Sequence, residues 1–372
     1  MRVAVLGSGA GALTVAADLA RAGHHPLLAD LPQFMGNFDP VRHRRGVAVS
    51  SDWYGTEVVA VEVAADLGAA VAGAELTIVV VPCFGHEPFA AALAPLLTSG
   101  QMLLFLGEGS GSIVARRALL RSGKHDVTVG EANTLPYLAR MAGPGAVSAF
   151  RKSGGVFVSG IPSDGAAGLL DLIRDTWPYL AGADNVWDTV LLNYNAIDHV
   201  ATMVGSAATL HNRSGGMLLW GEGATPEVVR VIGAVDAELF HLRAALGVSN
   251  DRRYREMLVA QGFAPDVGDD LFDTIRASRL VKGYAPTAAD GGLHTRYLTE
   301  DVPYALVLAS SIGAATDVAT PVIDGLIAIT SAMLDQDFAV EGRTLSSLGL
   351  GGLDAAGLRR FADTGEFPDD IG

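Results

Sequence analysis

The residues best suited to chemistry form a polar stripe on an apolar helix. Residues 191–211, LLNYNAIDHVATMVGSAATLH, are helical by pattern. Asn195, His199, Thr202 and Ser206 recur at spacings of four, three and four, so they share one face. Such a stripe needs partners, either other protein groups or a ligand. If it faces a reacting centre, His199 is the natural proton donor, because imidazole titrates near neutrality. Asn195 stands one turn before it, on the substrate side. A second stretch, RYLTEDVPYAL at 296–306, offers His199 a partner. Pro303 suits the first turn of a helix, which would make Glu300 and Asp301 ordinary carboxylates at the positive end of a helix dipole. The same residues fit a pairing in which Asp301 holds the His199 ring and raises its pKa while Arg296 grips a substrate carboxylate with two donors. Spacing alone leaves both readings open.

The other candidate lies at the start of the chain. GSGAGA at 7–12 has GxGxxA spacing, directly after an apparent strand and opening a helix. Gly7 would permit the tight turn, and Gly9 would leave room for a pyrophosphate. Ala10 would begin the helix whose N–H groups meet it, and Ala12 would let helix pack on strand. Asp30 ends the next strand, where a carboxylate would accept hydrogen bonds from the adenosine ribose. That favours NAD as cofactor. Arg42, Arg44 and Arg45 follow in a loop; they are either surface charges or a means of accommodating NADP. Pro82 and His86 come after the strand at 76–81 on the cofactor side. Pro82 is a candidate cofactor contact, His86 is either a cleft residue or a plain loop histidine, and Cys83 reads as packing.

The elements that must position these groups fall into two sets. Short β-branched runs at 2–6, 26–29, 76–81, 102–106, 127–131 and 156–159 alternate with helical patterns such as 12–22 and 88–97, which predicts a doubly wound α/β domain with a parallel sheet. Beyond about residue 188 the strand signals stop. Residues 225–247 show the change: Val228, Ile232, Val235, Leu239, Leu242 and Leu246 make one helical stripe, with Thr225 as N-cap, Pro226 at the first position and Gly247 after the end. The expected fold is therefore a Rossmann-type domain over 1–188 and an all-helical domain over 189–372, loop-rich from about Ser346.

Composition agrees. A chain of 372 residues, 49% hydrophobic and 18% charged, can bury a sizeable core. Its net charge of −15 speaks against nucleic acid and anionic membrane as main partners, leaving small molecules. The richest apolar region, 302–334, is interrupted by Ser310, Asp317, Asp324 and Ser331 and reads as buried helix. MRVAVLG at the N-terminus reads as a strand with no leader. The single cysteine, Cys83, can form neither an internal disulfide nor a cysteine-rich zinc site, so a reducing, cytoplasmic location and no metal are expected.

With these residues assembled, the chain resembles the octopine/nopaline (opine) dehydrogenase family over nearly its whole length. EANTLPYLAR at 131–140 is similar to the family's E-x-x-TLPY-x-x-R segment, NYNAIDH at 193–199 to its N-x-N-x-x-x-H helix, and RYLTEDVP at 296–303 to a segment of the same sequence. GRTL at 342–345 also fits. The resemblance implies an NAD(P)H-dependent enzyme with its active site between the two domains. It would join the amine of an L-amino acid to an α-keto acid such as pyruvate, and run the reverse oxidation. It also implies that His199 and Asp301 are the catalytic pair, that Arg296 binds the keto-acid carboxylate, and that Thr134 serves the amino-acid side. Two departures stand out. Asp198 and Val200 flank the histidine where an apolar residue and a proline are usual, and GEGSGS at 107–112 replaces a more usual glycine-rich turn. Two alternatives remain. One is a ketopantoate-reductase-like or glycerol-3-phosphate-dehydrogenase-like enzyme, whose catalytic lysine would have to be Lys282. The other is a non-catalytic NAD(H) sensor. An exposed helix of the second domain could pair two chains.

Overall fold

The computed structural model describes residues 1–213, 216–283, 285 and 291–368. They form two compact units. The first comprises Met1–Lys152, Val156–Thr189 and Ala362–Gly365; the second comprises Ser153–Gly155, Val190–Phe361 and the described residues after Gly365.

The first unit is built on an eight-stranded sheet. In chain order its strands are β1 (Arg2–Leu6), β2 (His25–Ala29), β5 (Glu62–Val63), β6 (Leu76–Val79), β7 (Met102–Leu106), β8 (Thr128–Ala132), β11 (Phe157–Ile161) and β12 (Ala181–Gly182). Their spatial order is β12-β11-β8-β7-β6-β1-β2-β5, with the reversal of direction around β1 and β6 that opens a crevice at the strand ends of a doubly wound fold. β1 shows why both faces are covered: Val3 and Val5 join one buried layer, Ala4 and Leu6 the other.

Two features depart from the expected all-parallel sheet. β8 and β11 pair antiparallel. The chain between them returns through a hairpin without a crossover helix, so β11 enters from the opposite end. That hairpin, β9 (Tyr137–Gly143) with β10 (Ala146–Arg151), joins β3 (Val47–Ser51) and β4 (Gly55–Val59) in a second sheet of order β4-β3-β10-β9. The helix Ala10–Arg21 is buried over every position from Ala12 to Leu19, and it shares one apolar layer with Val47, Val49, Tyr137 and Val147 of the second sheet. A helix covered all round must be small and apolar, as AGALTVAADLA is except for Thr14 and Asp18, whose side chains are hydrogen-bonded. Arg42 and Arg44 lie in a helix, Asp39–Arg44, rather than a loop, with Arg45 closing it at φ 57°.

The second unit is helical. Pro226–Ala245 runs as the caps predict, with the Thr225 side chain accepting from the Val228 N–H. The stretch 191–211 is not one helix. Asn193 caps Tyr194–Gly205 by accepting from the Ala196 N–H at 3.2 Å, and the chain breaks at Ser206 (φ −106°, ψ 2°) before Ala207–Asn212. The break lies where another helix crosses: a Cβ on Gly205 would stand 2.6 Å from Val228 Cγ2. The region 302–334 resolves into a π-helical turn, Val302–Leu306, and two helices, Val307–Thr316 and Pro321–Leu334. The tail is less loop-rich than its glycines suggest, since Leu345–Leu348 and Ala355–Thr364 are helices, the latter burying Leu358 and Phe361. No described helix is long and apolar enough to cross a membrane.

Candidate active site

In the second unit two segments distant in sequence meet. His199, in the middle of Tyr194–Gly205, places Nδ1 2.8 Å from Oδ2 of Asp301. Asp301 stands at the start of the Val302–Leu306 turn, yet its side chain makes no cap there. The carboxylate is committed to the ring, not to the helix end. A carboxylate accepts, so Nδ1 carries the proton and Nε2 is left as the second functional nitrogen. Burial, reinforced by the neighbouring Glu300 carboxylate and opposed by Arg296, pushes the Asp301 carboxyl well above its usual range. A more basic carboxylate holds the ring N–H more strongly.

Three aromatic residues fix the imidazole from other sides. The Tyr297 ring stacks on it, centroids 4.0 Å apart and planes 20° from parallel, and Trp220 is 5.7 Å away in the π-helical turn Leu219–Gly223. Tyr254 acts through Asp198, the residue preceding His199. Asp198 Oδ2 accepts from Tyr254 Oη at 2.6 Å and Trp220 Nε1 at 2.8 Å, while Oδ1 lies 3.9 Å from His199 Nε2. Burial raises the Asp198 carboxyl; His199 and these two donors oppose the rise. Tyr254 is itself held at its helix N-terminus, where its N–H donates to Asp236 Oδ1 at 3.0 Å. Arg296, one helical turn before Glu300, keeps Nε 3.8 Å from Glu300 Oε2, and with its side chain 64% exposed the guanidinium is reachable by a ligand carboxylate. Asn195 is half-buried one turn before His199. Thr202 does not extend the polar stripe: its hydroxyl turns back onto the Asp198 carbonyl.

The first unit carries the dinucleotide candidates. Gly7 has φ +118°, and a Cβ there would lie 2.3 Å from the Val80 carbonyl oxygen, so only glycine fits. A Cβ on Gly9 would meet nothing within 4 Å, and no side chain caps the helix Ala10–Arg21 that follows. Open space above uncapped helix N–H groups is what a pyrophosphate requires. Ala12 is fully buried between helix and sheet. Asp30 directly follows β2 beside Ser8, accepts from the Leu31 N–H at 2.7 Å, and is raised by burial against the pull of hydrogen bonds from Ser8 and Leu31. These residues fit a nicotinamide dinucleotide. Arg42 is engaged with Asp39 at 2.9 Å and Arg44 with the Gly145 carbonyl at 2.9 Å. Pro82 begins the turn Cys83–Gly85; His86 is buried edge-on against Phe105.

The TLPY segment is tied to this turn. Gly11, a position the fingerprint leaves free, is needed because a Cβ there would lie 2.9 Å from Val80 Cγ1 and 3.1 Å from Leu135 Cδ1. Tyr137 donates to Asp18 of the buried helix, which also accepts from Trp177 Nε1. Thr134 accepts a 2.7 Å hydrogen bond from Lys152 Nζ. Lys152, which sequence patterns did not single out, is buried, and desolvation lowers its ammonium to about 7 against the opposing pull of Glu108. Lys282 lies exposed in the turn Arg279–Lys282.

Over 357 residues the chain is 30% identical to an opine dehydrogenase of Arthrobacter sp. (strain 1C), covering 96% of this chain and 97% of that one. The chain belongs to the opine dehydrogenase family. Residues 182–334 match the family described as NAD/NADP octopine/nopaline dehydrogenase, alpha-helical domain, and residues 3–148 match ketopantoate reductase PanE/ApbA. Among solved structures, octopine dehydrogenase in complex with NADH and agmatine superposes with a TM-score of 0.79 at 21% identity, over 98% of both chains. The same enzyme with NADH and pyruvate gives 0.74 at 21%, again over 98% of each chain. NADP+-bound yersinopine dehydrogenase gives 0.68 at 14%, over 98% of each. A Rossmann-type, mostly parallel sheet followed by a helical domain is thus the fold of this chain as well.

Proposed function

We propose that the protein is an NAD(P)-dependent opine dehydrogenase, joining the amine of an L-amino acid to an α-keto acid by reduction and catalysing the reverse oxidation. The observation that carries the reading is the part-buried His199–Asp301 pair, 2.8 Å apart, in a chain of this family with Arg296 exposed five residues before Asp301. When bound, the reduced nicotinamide supplies hydride to the imine carbon.

In the proposed sequence Arg296 orients the keto acid by its carboxylate, with Asn195 on the substrate side. His199 polarises the keto oxygen through Nε2 as the amine adds, then gives its proton to that oxygen as it leaves as water. Asp301 fixes the Nδ1–H tautomer and stabilises the imidazolium. Thr134, held by Lys152, stands on the amino-acid side. Gly7, Gly9, Ala10, Ala12 and Pro82 would hold the dinucleotide, and Asp30 would take the ribose hydroxyls and favour NADH over NADPH. The structure of octopine dehydrogenase with pyruvate supports pyruvate as the keto acid. A ketopantoate-reductase-like reaction has less support, since Lys282 is an exposed residue of a short turn. The reading places the enzyme in the cytoplasm, where Cys83 stays reduced, and a pair of chains belongs to the same proposal.

The test is cofactor oxidation with NADH and with NADPH, crossing pyruvate, glyoxylate and 2-oxoglutarate with a panel of amino acids. Oxidation that requires both a keto acid and an amino acid is the expected result. A blank screen, or oxidation with a keto acid alone, overturns the proposal.

A further inference from the structure

His199 is followed on its Nδ1 side by one carboxylate and approached on its Nε2 side by another. The second belongs to Asp198, at a position where the family pattern leads one to expect an apolar side chain. Its placement is constructed. Oδ2 is taken by Tyr254 Oη and Trp220 Nε1, and Tyr254 is anchored in turn by Asp236, so Oδ1 is held 3.9 Å from Nε2. That separation is short enough for strong attraction between opposite charges in a desolvated site and too long for a hydrogen bond, so Asp198 can favour the imidazolium without consuming the Nε2 proton.

We propose that Asp198 is a positioning residue for the His199 proton: it favours the imidazolium before proton transfer and offsets the positive charge that appears on the substrate afterwards. The role on the substrate rests on the opine dehydrogenase reading. In that step the carbinolamine C–O bond breaks and the oxygen departs as water with the Nε2 proton. The nitrogen lone pair closes the C=N bond, so one positive charge moves from the ring to the iminium. With a single carboxylate the ring and Asp301 would pass from neutral to one negative charge; with Asp198 they pass from one to two. The more negative surroundings suit a cationic iminium, the form that accepts hydride most readily.

Charged groups on the described elements packed against this helix have partners of their own. Glu300 and Arg296 lie behind Asp301. On Pro226–Ala245, Asp236 is paired with Arg253 at 2.7 Å. On Pro321–Leu334, Asp324 accepts from Ser310 at 2.6 Å. On Leu219–Gly223, Glu222 is paired with Arg213 at 2.6 Å, and in the Val302–Leu306 turn Tyr304 lies under the Arg343 guanidinium.

The experiment is a ring 15N NMR titration of His199 in the full-length protein without substrate, for the parent, Asp198→Asn and Tyr254→Phe, alongside the pH dependence of kcat/KM. Asparagine keeps an acceptor for Trp220 and Tyr254 but removes the charge. The expected result is that D198N lowers the ring titration by about one unit or more, the lower end of what an opposite charge at this distance produces, and moves the basic limb of kcat/KM with it. Y254F removes one of the two donors that anchor Asp198 and oppose the rise of its carboxyl, so the ring titration should fall there too, by less than in D198N. An unmoved titration in D198N overturns the proposal. If D198N does not fold, an unmoved titration in Y254F overturns it instead. A blank substrate screen would end the opine dehydrogenase reading while leaving the titration interpretable. A normal screen with an unmoved titration would end this inference alone.

Discussion

Replacing Asp301 by Asn removes the charge from the 2.8 Å contact with His199 Nδ1 while keeping the side chain's size. A hydrogen bond between charged partners is worth about 1.5–3 kcal/mol. At about 1.36 kcal/mol per pKa unit, the imidazolium loses roughly 1–2 units of proton affinity, and kcat/KM near neutrality falls about 10- to 150-fold in the reductive direction. That is a lower bound, because Asn can also turn its NH2 toward Nδ1 and fix the tautomer that leaves no proton on Nδ1. The direction on the pH axis follows from the charge. Asp301 raises the ring pKa, so the acid-dependent activity is full at low pH and lost as pH rises through that pKa; in Asp301→Asn the loss begins at lower pH. The assay is nicotinamide oxidation in the presence of keto acid and amino acid across a pH series, with cofactor binding followed by fluorescence as the control. A rate within a few-fold of the parent and an unmoved basic limb would show that Asp301 is a helix-end charge and that the proton comes from elsewhere.

Other substitutions probe separate parts of the molecule. Arg296→Gln should raise KM for the keto acid about tenfold or more, as expected from losing a charge-assisted contact of 1.5–3 kcal/mol, with cofactor affinity unchanged; titration of initial rates against keto acid reads it directly. Asp18→Ala leaves Tyr137 Oη buried without its acceptor, while Trp177 Nε1 keeps Tyr137 Oη as a partner, and at about 1–3 kcal/mol for the orphaned hydroxyl the thermal midpoint should drop clearly, whereas Asp18→Asn should cost less. For Lys152 the folded pKa lies at about 7 against the ordinary 10.5, so the unfolded chain binds more protons between those values and stability should climb with pH across that window. Lys152→Met should flatten the climb in denaturant titrations run across the same window.

The legibility of this chain follows from which interactions are local. The first turn could be read because its requirements sit within six residues: Gly7 must adopt a positive φ and Ala12 must be small. Pro226–Ala245 could be read because Thr225 and Gly247 mark its ends in the sequence itself. The second sheet could not, since VAVSS and GTEVV are short and partly exposed, and the strand that joins their hairpin to the rest of the sheet arrives about a hundred residues later. TLPYLAR registered as a motif and concealed the strand beginning at Tyr137. The His199–Asp301 distance is a tertiary fact spanning 102 residues, and spacing could offer it only as one of two options. Asp198 was visible as an irregularity, but adjacent helical residues are not expected to share a site, and its meaning depends on Tyr254 and Trp220 holding it from elsewhere.

Glu131, fully buried at the end of β8, accepts from the Ser110 and Ser112 N–H groups at 3.2 and 3.0 Å and from Ser112 Oγ at 2.8 Å. It thereby occupies the start of the helix Gly111–Arg121 with a carboxylate of its own. In a doubly wound sheet several helices begin along one edge, and each is an attractive seat for an anion. Here one of those seats is filled from within, and a phosphate entering it would meet a negative charge instead of bare N–H groups. The helix after Gly9 has no such occupant. The protein thus steers a dinucleotide partly by exclusion: it closes a decoy seat as well as opening the right one, and the two positions responsible, Glu131 and Gly9, lie more than a hundred residues apart in the chain.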